Sequence, residues 1–212
     1  MGMIHIDLFT TLDGVAQAPG GPEEDTEGGF PFGGWQAPLL DDVVGREISE
    51  GLQGLDALLL GRRTYDIFAA YWPYQEEGTD NSIARLFNAV PKYVASRGTP
   101  KLDWAKSTQL GSDLPAEIAR LRERYESVHV IGSINFAQSL LGEQLFDRLT
   151  LWVYPIVLGT GKKVFPDGAT PANLTLAEPP VVSVKGVVML RYGPAPGRPT
   201  TGDMSREDRG VG

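Results

Sequence analysis

Ile4, Ile6 and Leu8 alternate with His5, Asp7 and Phe9, which predicts a strand with one strongly apolar face. Thr10 to Gly14 ends it, and residues 15–38 lose all periodicity, with Gly at six positions and Pro at four. A structureless stretch of this length inside a compact domain is uncommon and often functional. Its four acids, Glu23, Glu24, Asp25 and Glu27, are expected to face water, while Phe30, Phe32 and Trp35 need apolar partners. Helical spacing returns over 39–54, where Leu39, Leu40, Val43, Val44, Ile48 and Leu52 share one side. Strand–helix units follow: a short apolar strand over 56–60, a helix over 62–70, a helix over 81–88, a strand over 92–95, a helix over 114–125, a strand over 128–131 and a helix over 135–141. Asp113 is a plausible cap for the fourth helix, with Pro115 in its first turn.

After residue 147 the pattern changes. Leu149, Leu151 and Val153 alternate with Thr150, Trp152 and Tyr154, and further strands are expected over 173–178 and 181–192, with Gly186 as a bulge or turn in the last. No helix separates these strands, so they should pair antiparallel, whereas the earlier strand–helix units imply parallel pairing. The expectation is an α/β fold with a mixed central sheet and helices on both faces. It should occupy residues 1–193, and the Pro-, Gly- and charge-rich stretch 194–212 should be a flexible tail.

Composition narrows the chemistry. A length of 212 residues suits one large domain. The net charge of −8 argues against unspecific binding to nucleic acid or anionic membranes, but leaves room for a local basic pocket that takes a phosphorylated small molecule. Cysteine is absent, which removes disulfides, thiolate metal sites and cysteine nucleophiles. The two histidines, His5 and His129, are too few for a histidine-rich zinc site, so no metal is expected. No basic run followed by a long apolar stretch opens the chain, and no apolar segment reaches bilayer length, so a cytoplasmic location is the default expectation.

Four segments carry candidate chemistry. Gly61-Arg-Arg-Thr-Tyr65 joins an apolar strand to a helix, where free amides and Arg62 or Arg63 could hold phosphate. An ordinary turn with two surface arginines is the competing reading. Gly132-Ser133 occupies an equivalent junction, with a plain helix cap as its alternative. Two such junctions in one open sheet support each other, because ligands collect beyond the carboxyl ends of strands. Asp13, in Thr11-Leu-Asp-Gly14, either binds a polar heterocycle or makes its own backbone turn. Gly159 and Gly161 form either a tight turn against a cofactor or a wide hairpin. Nucleophilic catalysis has little support: no Gly-x-Ser-x-Gly elbow occurs, neither histidine has a clear serine partner, and His129 reads as structural.

In order and spacing, Thr11-Leu-Asp-Gly14, Leu59-Leu-Gly-Arg-Arg-Thr-Tyr65, Val130-Ile-Gly-Ser133 and Asp147 to Gly161 with Phe165 mark a resemblance over about residues 3–192. The chain resembles the bacterial dihydrofolate-reductase-like proteins related to the reductase domain of the bifunctional riboflavin-biosynthesis deaminase/reductase. The resemblance implies a three-layer fold with NADPH lying across the sheet, commonly in a homodimer. It implies that Gly61 and Arg62, with Arg63 and Thr64 nearby, meet the adenosine-phosphate side, and that Gly132, Ser133, Ile134 and Asn135 meet the pyrophosphate. Ser96 and Arg97 would take the ribose and its 2′-phosphate. Thr11 and Asp13 would lie near the nicotinamide and substrate, Trp35 in the covering loop, and Gly159 and Gly161 in the turn over the nicotinamide. Folate reductases hold the pterin through an acid on their first long helix, and Asp41 and Asp42 lie loosely in that region. The implied activity is NADPH-dependent reduction of a pteridine-like or ribosylaminopyrimidine-like small molecule, of the 5-amino-6-(5-phosphoribosylamino)uracil reductase type. A nucleotide-binding protein without efficient turnover, dihydrofolate reductase activity, and a hydrolase on the same sheet are the alternatives. The absence of cysteine excludes the zinc-binding deaminase half.

Overall fold

The computed structural model describes residues 1–75 and 81–203. Its sheet is built from β1 (Met3–Thr11), β2 (Ala57–Gly61), β3 (Lys92–Ala95), β4 (Ser107–Gln109), β5 (Ser127–Val130), β6 (Arg148–Tyr154), β7 (Asn173–Leu176), β8 (Val181–Val182) and β9 (Val188–Ala195). The helices are α1 (Asp42–Gly51), α2 (Arg62–Tyr71), α3 (Ser82–Ala89), α4 (Leu114–Arg124) and α5 (Ile134–Gly142). The strands run in the order β4-β3-β2-β5-β1-β6-β9-β7, with β8 beside β9. Every pairing from β4 to β6 is parallel, and every pairing that involves β9 is antiparallel.

The alternation in β1 is used on both sides. Ile4, Ile6 and Leu8 pack with Ala57, Leu59, Val128 and Val130 against Ile118 and Leu121 of α4 and Phe136, Ala137 and Leu140 of α5. Ile4 and Ile6 are fully buried, so truncation of either to Ala costs about 2–5 kcal/mol. On the opposite face Leu58, Leu60 and Val94 pack with Tyr65 of α2 and Phe87 of α3. The central strand β2 is thus covered on both faces, as its unbroken apolar run requires. The result is a mixed sheet between two helical layers.

Several boundaries differ from the expected ones. The helix expected over 39–54 starts at Asp42, because Asp41 accepts the Val44 amide as the N-cap and Leu39 belongs to a preceding 3-10 turn. The single strand expected over 181–192 is two, β8 and β9. They are joined by a tight turn in which Gly186 adopts φ +81 and donates to the Ser183 carbonyl. Strand β4, three polar-rich residues at the sheet edge, has no hydrophobic signal to announce it. The sheet runs past the expected domain end at 193, since Pro194 and Ala195 pair with Leu174 and Asn173. The acids of the 15–38 loop do not all face water: Asp25 is buried. Phe30 and Trp35 find the apolar partners they need, and Phe32, 42% exposed, meets Phe30 edge-on. No helix among the described residues is long and apolar enough to cross a membrane.

Candidate functional site

The two strand–helix junctions meet. The Gly61 amide donates to the Gly132 carbonyl at 3.2 Å. A Cβ on Gly61 would collide with Ser133 Oγ and lie 2.9 Å from Phe136 Cβ, and one on Gly132 would lie 2.6 Å from Thr64 Oγ1. The glycines are therefore required by close packing of α2 against α5, not by ligand approach alone. Neither N-cap residue, Gly61 or Ser133, closes its own helix start with a side-chain hydrogen bond. Amides at both starts remain available to an anion. Thr64, Gly132, Ser133, Ile134 and Asn135 line a cavity of about 890 Å³.

The arginines diverge. Arg62 turns away from the cavity and donates to Asp66 from Nε at 2.8 and 2.6 Å. Arg63 lines the cavity, but it is held by Asp25 and Glu27, each at 2.8 Å. The same two acids take the ammonium of Lys162, at 2.6 and 2.5 Å. Desolvation pushes the Asp25 carboxyl up, but the Lys162 hydrogen bond, the Glu27 amide and the two positive charges outweigh it and leave it below the usual range. This cluster latches the 15–38 loop to α2 and to the segment after β6. The Gly61–Ala95 register puts Ser96 and Arg97 at the same sheet edge as the junctions. They do not line the cavity, and Arg97 is exposed.

Thr11 and Asp13 form a clamp instead of a cavity wall. Thr11 Oγ1 donates to Asp13 at 2.5 Å, and the amides of Leu158 and Gly159 donate to the same carboxylate at 3.2 and 2.7 Å. Desolvation pushes the Asp13 carboxyl up, but these hydrogen bonds outweigh it and hold it below 3.8. Gly161, at φ +115, sits against Phe30 and Val15, so a Cβ there would lie 2.7 Å from each. The turn therefore packs on the loop. Trp35 is likewise interior: its Nε1 donates to the Gln17 carbonyl at 2.8 Å and its ring meets Tyr154 edge-on. The neighbouring Gln36 is the residue that lines the cavity. Asp41 spends its carboxylate on the Val44 and Lys185 amides, and Asp42 is exposed. The carboxylates that the α1 region offers to the cavity come from Glu47 and Glu50.

The cavity floor consists of residues that sequence reasoning passed over. The second face of β1 carries His5, Asp7 and Phe9, and its neighbours carry Ser127, His129 and Ile131 on β5 and beyond, and Arg148, Thr150 and Trp152 on β6. His129 Nδ1 lies 2.7 Å from Asp7 Oδ2, and its Nε2 lies 3.1 Å from Ser127 Oγ. The His5 ring stacks on that of His129 with centroids 4.5 Å apart. Burial first, then the charges of His129 and Arg148, push His5 down to about 4 against the opposing pull of Asp7 and Asp147. Further along, Arg191 pairs with Glu47 and Glu178, and Arg148 with Glu178. The signal was present in the alternation: a strand covered on both sides has no solvent face, so polar residues at every second position imply a polar cavity. The expectation that neither histidine has a serine partner is overturned, because Ser127 and His129 are two apart on one strand and share a face. Among the described residues no group of three or more His, Cys, Asp or Glu is arranged to hold a metal.

Comparison with known proteins places this geometry. Residues 3–185 match the model of the RibD C-terminal domain. The uncharacterized protein YyaP of Bacillus subtilis (strain 168) is 26% identical over 191 residues, covering 89% of this chain and 93% of that one. Among solved structures, a putative riboflavin biosynthesis protein from a Shewanella species superposes with a TM-score of 0.63 at 17% identity, over 92% of this chain and 99% of that one. Dihydrofolate reductase from Enterococcus faecalis, complexed with NADP(H), superposes with a TM-score of 0.55 at 14% identity, over 91% and 96%. The fold is the dihydrofolate-reductase-like three-layer fold.

Proposed function

Because the chain belongs to the RibD C-terminal domain family, we propose that it is an NADPH-dependent reductase of a pteridine-like or ribosylaminopyrimidine-like small molecule, of the 5-amino-6-(5-phosphoribosylamino)uracil reductase type. The observation that carries this reading is the meeting of two helix starts without side-chain caps on the wall of a cavity of about 890 Å³. That volume and donor set fit a dinucleotide. Thr64, Ser133, Asn135 and the first amides of α5 would hold the pyrophosphate, and Gly132 leaves the backbone bare there. Ser96 and Arg97 would take the 2′-phosphate at the adjoining edge.

When bound, the reduced nicotinamide supplies a hydride; the protein's part is binding, orientation and exclusion of water. Phe9, Trp152 and Ile48 give the middle of the cavity apolar walls. Asp13 and Thr11 act as positioning residues that pin the 155–161 segment to the end of β1. Glu47, held by Arg191, offers a carboxylate to the ring of a substrate lying under α1.

Titration with NADPH and NADH, followed by nicotinamide fluorescence, tests the cofactor. NADPH should bind more tightly, and Arg97→Ala should erase most of that preference. Negligible binding of both nucleotides would overturn the reading.

A further inference from the structure

The reductase reading leaves the Ser127–His129–Asp7 chain on the cavity floor without a task. Ser127 opens β5, whereas Gly132 lies just past its other end, five residue steps along and roughly 16 Å away at the rise of extended chain. The chain of contacts is therefore far from the edge where a nucleotide would bind. His129 is almost wholly buried and both its ring nitrogens are occupied, one by the Asp7 carboxylate and one by the Ser127 hydroxyl. An anionic acceptor at Nδ1 favours the tautomer that carries its proton there, which leaves the Nε2 lone pair to accept the Ser127 proton. Ser127 itself is half-buried and lines the cavity. Nucleophile, base and orienting acid thus stand in linear order, with the base shielded and the nucleophile accessible.

We propose that Ser127 is a nucleophilic serine that reacts with activated acyl compounds entering the cavity, with His129 as its base and Asp7 as the positioning residue. Ser127 Oγ bonds to the carbonyl carbon of an ester while its proton passes to His129 Nε2. The bond from that carbon to the leaving oxygen then breaks, and the departing alcohol takes the proton from His129. Water attacks the acyl-serine by the same exchange and restores Ser127. Ester and water become acid and alcohol, with no change of oxidation state. Arg148, opposite His5 in the β1–β6 register and paired with Glu178, adds positive charge to the same floor, of the sign an oxyanion needs. This inference does not depend on nucleotide binding.

The test uses the full chain and a fluorophosphonate probe, read by intact mass and peptide mapping, with p-nitrophenyl acetate as the turnover probe. One adduct per chain, on Ser127, is expected. Ser127→Ala should abolish it, and His129→Gln and Asp7→Asn should each slow labelling by about 10²- to 10⁴-fold. Asp7→Asn should also remove the low-field Nδ1 proton signal of His129 from the NMR spectrum. If His129→Gln fails to fold, Ser127→Ala and Asp7→Asn decide the matter. No adduct, an adduct elsewhere, or labelling of Asp7→Asn at the wild-type rate would overturn the proposal.

Discussion

The amide of Gly61 donates to the carbonyl of Gly132 at 3.2 Å, so the ends of two neighbouring strands are tied just where two helices begin. Space at this contact is exhausted. Gly61→Ala would drive a methyl group into Ser133 Oγ and Phe136 Cβ, and the start of α5 would have to move. Overpacking of this kind costs about 1–3 kcal/mol. Denaturant unfolding should register that loss, and NADPH affinity should fall with it. A variant as stable as wild type with unchanged affinity would show that the junctions are not coupled.

The Asp13 clamp has a definite pH signature. Its folded carboxyl lies below the ordinary 3.8, so its contribution to stability is complete above that value and is lost as pH falls through the lowered one. Asp13→Asn should lower stability at neutral pH and flatten the acid limb of the unfolding curve below about pH 4. Parallel urea titrations of the two proteins at several pH values provide the check.

His5 runs in the same direction as Asp13, but from burial of its ring and not from hydrogen bonds. Its folded value of about 4 lies below 6.5, so between those values the unfolded chain holds more protons than the native one. The His5 contribution is therefore intact above pH 6.5 and is lost as pH falls toward 4. With two histidines in the chain, NMR titration of the imidazole protons resolves each directly. One set should titrate near 4, and His5→Gln should remove it together with that part of the pH dependence of stability.

Lys162 holds two acids of the loop at once. Lys162→Met would leave the buried Asp25 with Arg63 as its remaining cation and cost about 2 kcal/mol. The loop over residues 15–38 should loosen before the rest of the fold. Faster hydrogen exchange and earlier proteolytic cleavage in that segment, with the sheet amides unaffected, would be the expected result.

The legible parts of the molecule were those where a local pattern has a single three-dimensional meaning. Alternation marked β1 and β6, the apolar run marked β2, and Gly61 and Gly132 marked the junctions, because strand ends and helix starts impose backbone demands on the residues that occupy them. The candidate site was legible at that edge alone. Which residues meet on its polar floor was not, since His5 and Asp7 lie far in sequence from Ser127 and His129 and become their neighbours through the parallel register of β1 with β5. The burial of Asp25 was missed for a related reason: a long loop carries no periodicity, so nothing local states which of its side chains turn inward or which cation they meet.

The amino-acid sequence by itself determined the alternation of elements, the change from parallel to antiparallel pairing after residue 147, the exclusion of thiol chemistry and the location of the two helix starts. These follow from short-range sterics and from composition. The tertiary structure alone decided which face of β1 would be core and which would be cavity. It also decided that Asp13 would be a clamp and Asp41 a cap, and that Ser127, His129 and Asp7 would stand in line. Those outcomes depend on strand register and loop docking, which are settled by the packing of both sheet faces at once and by no segment alone.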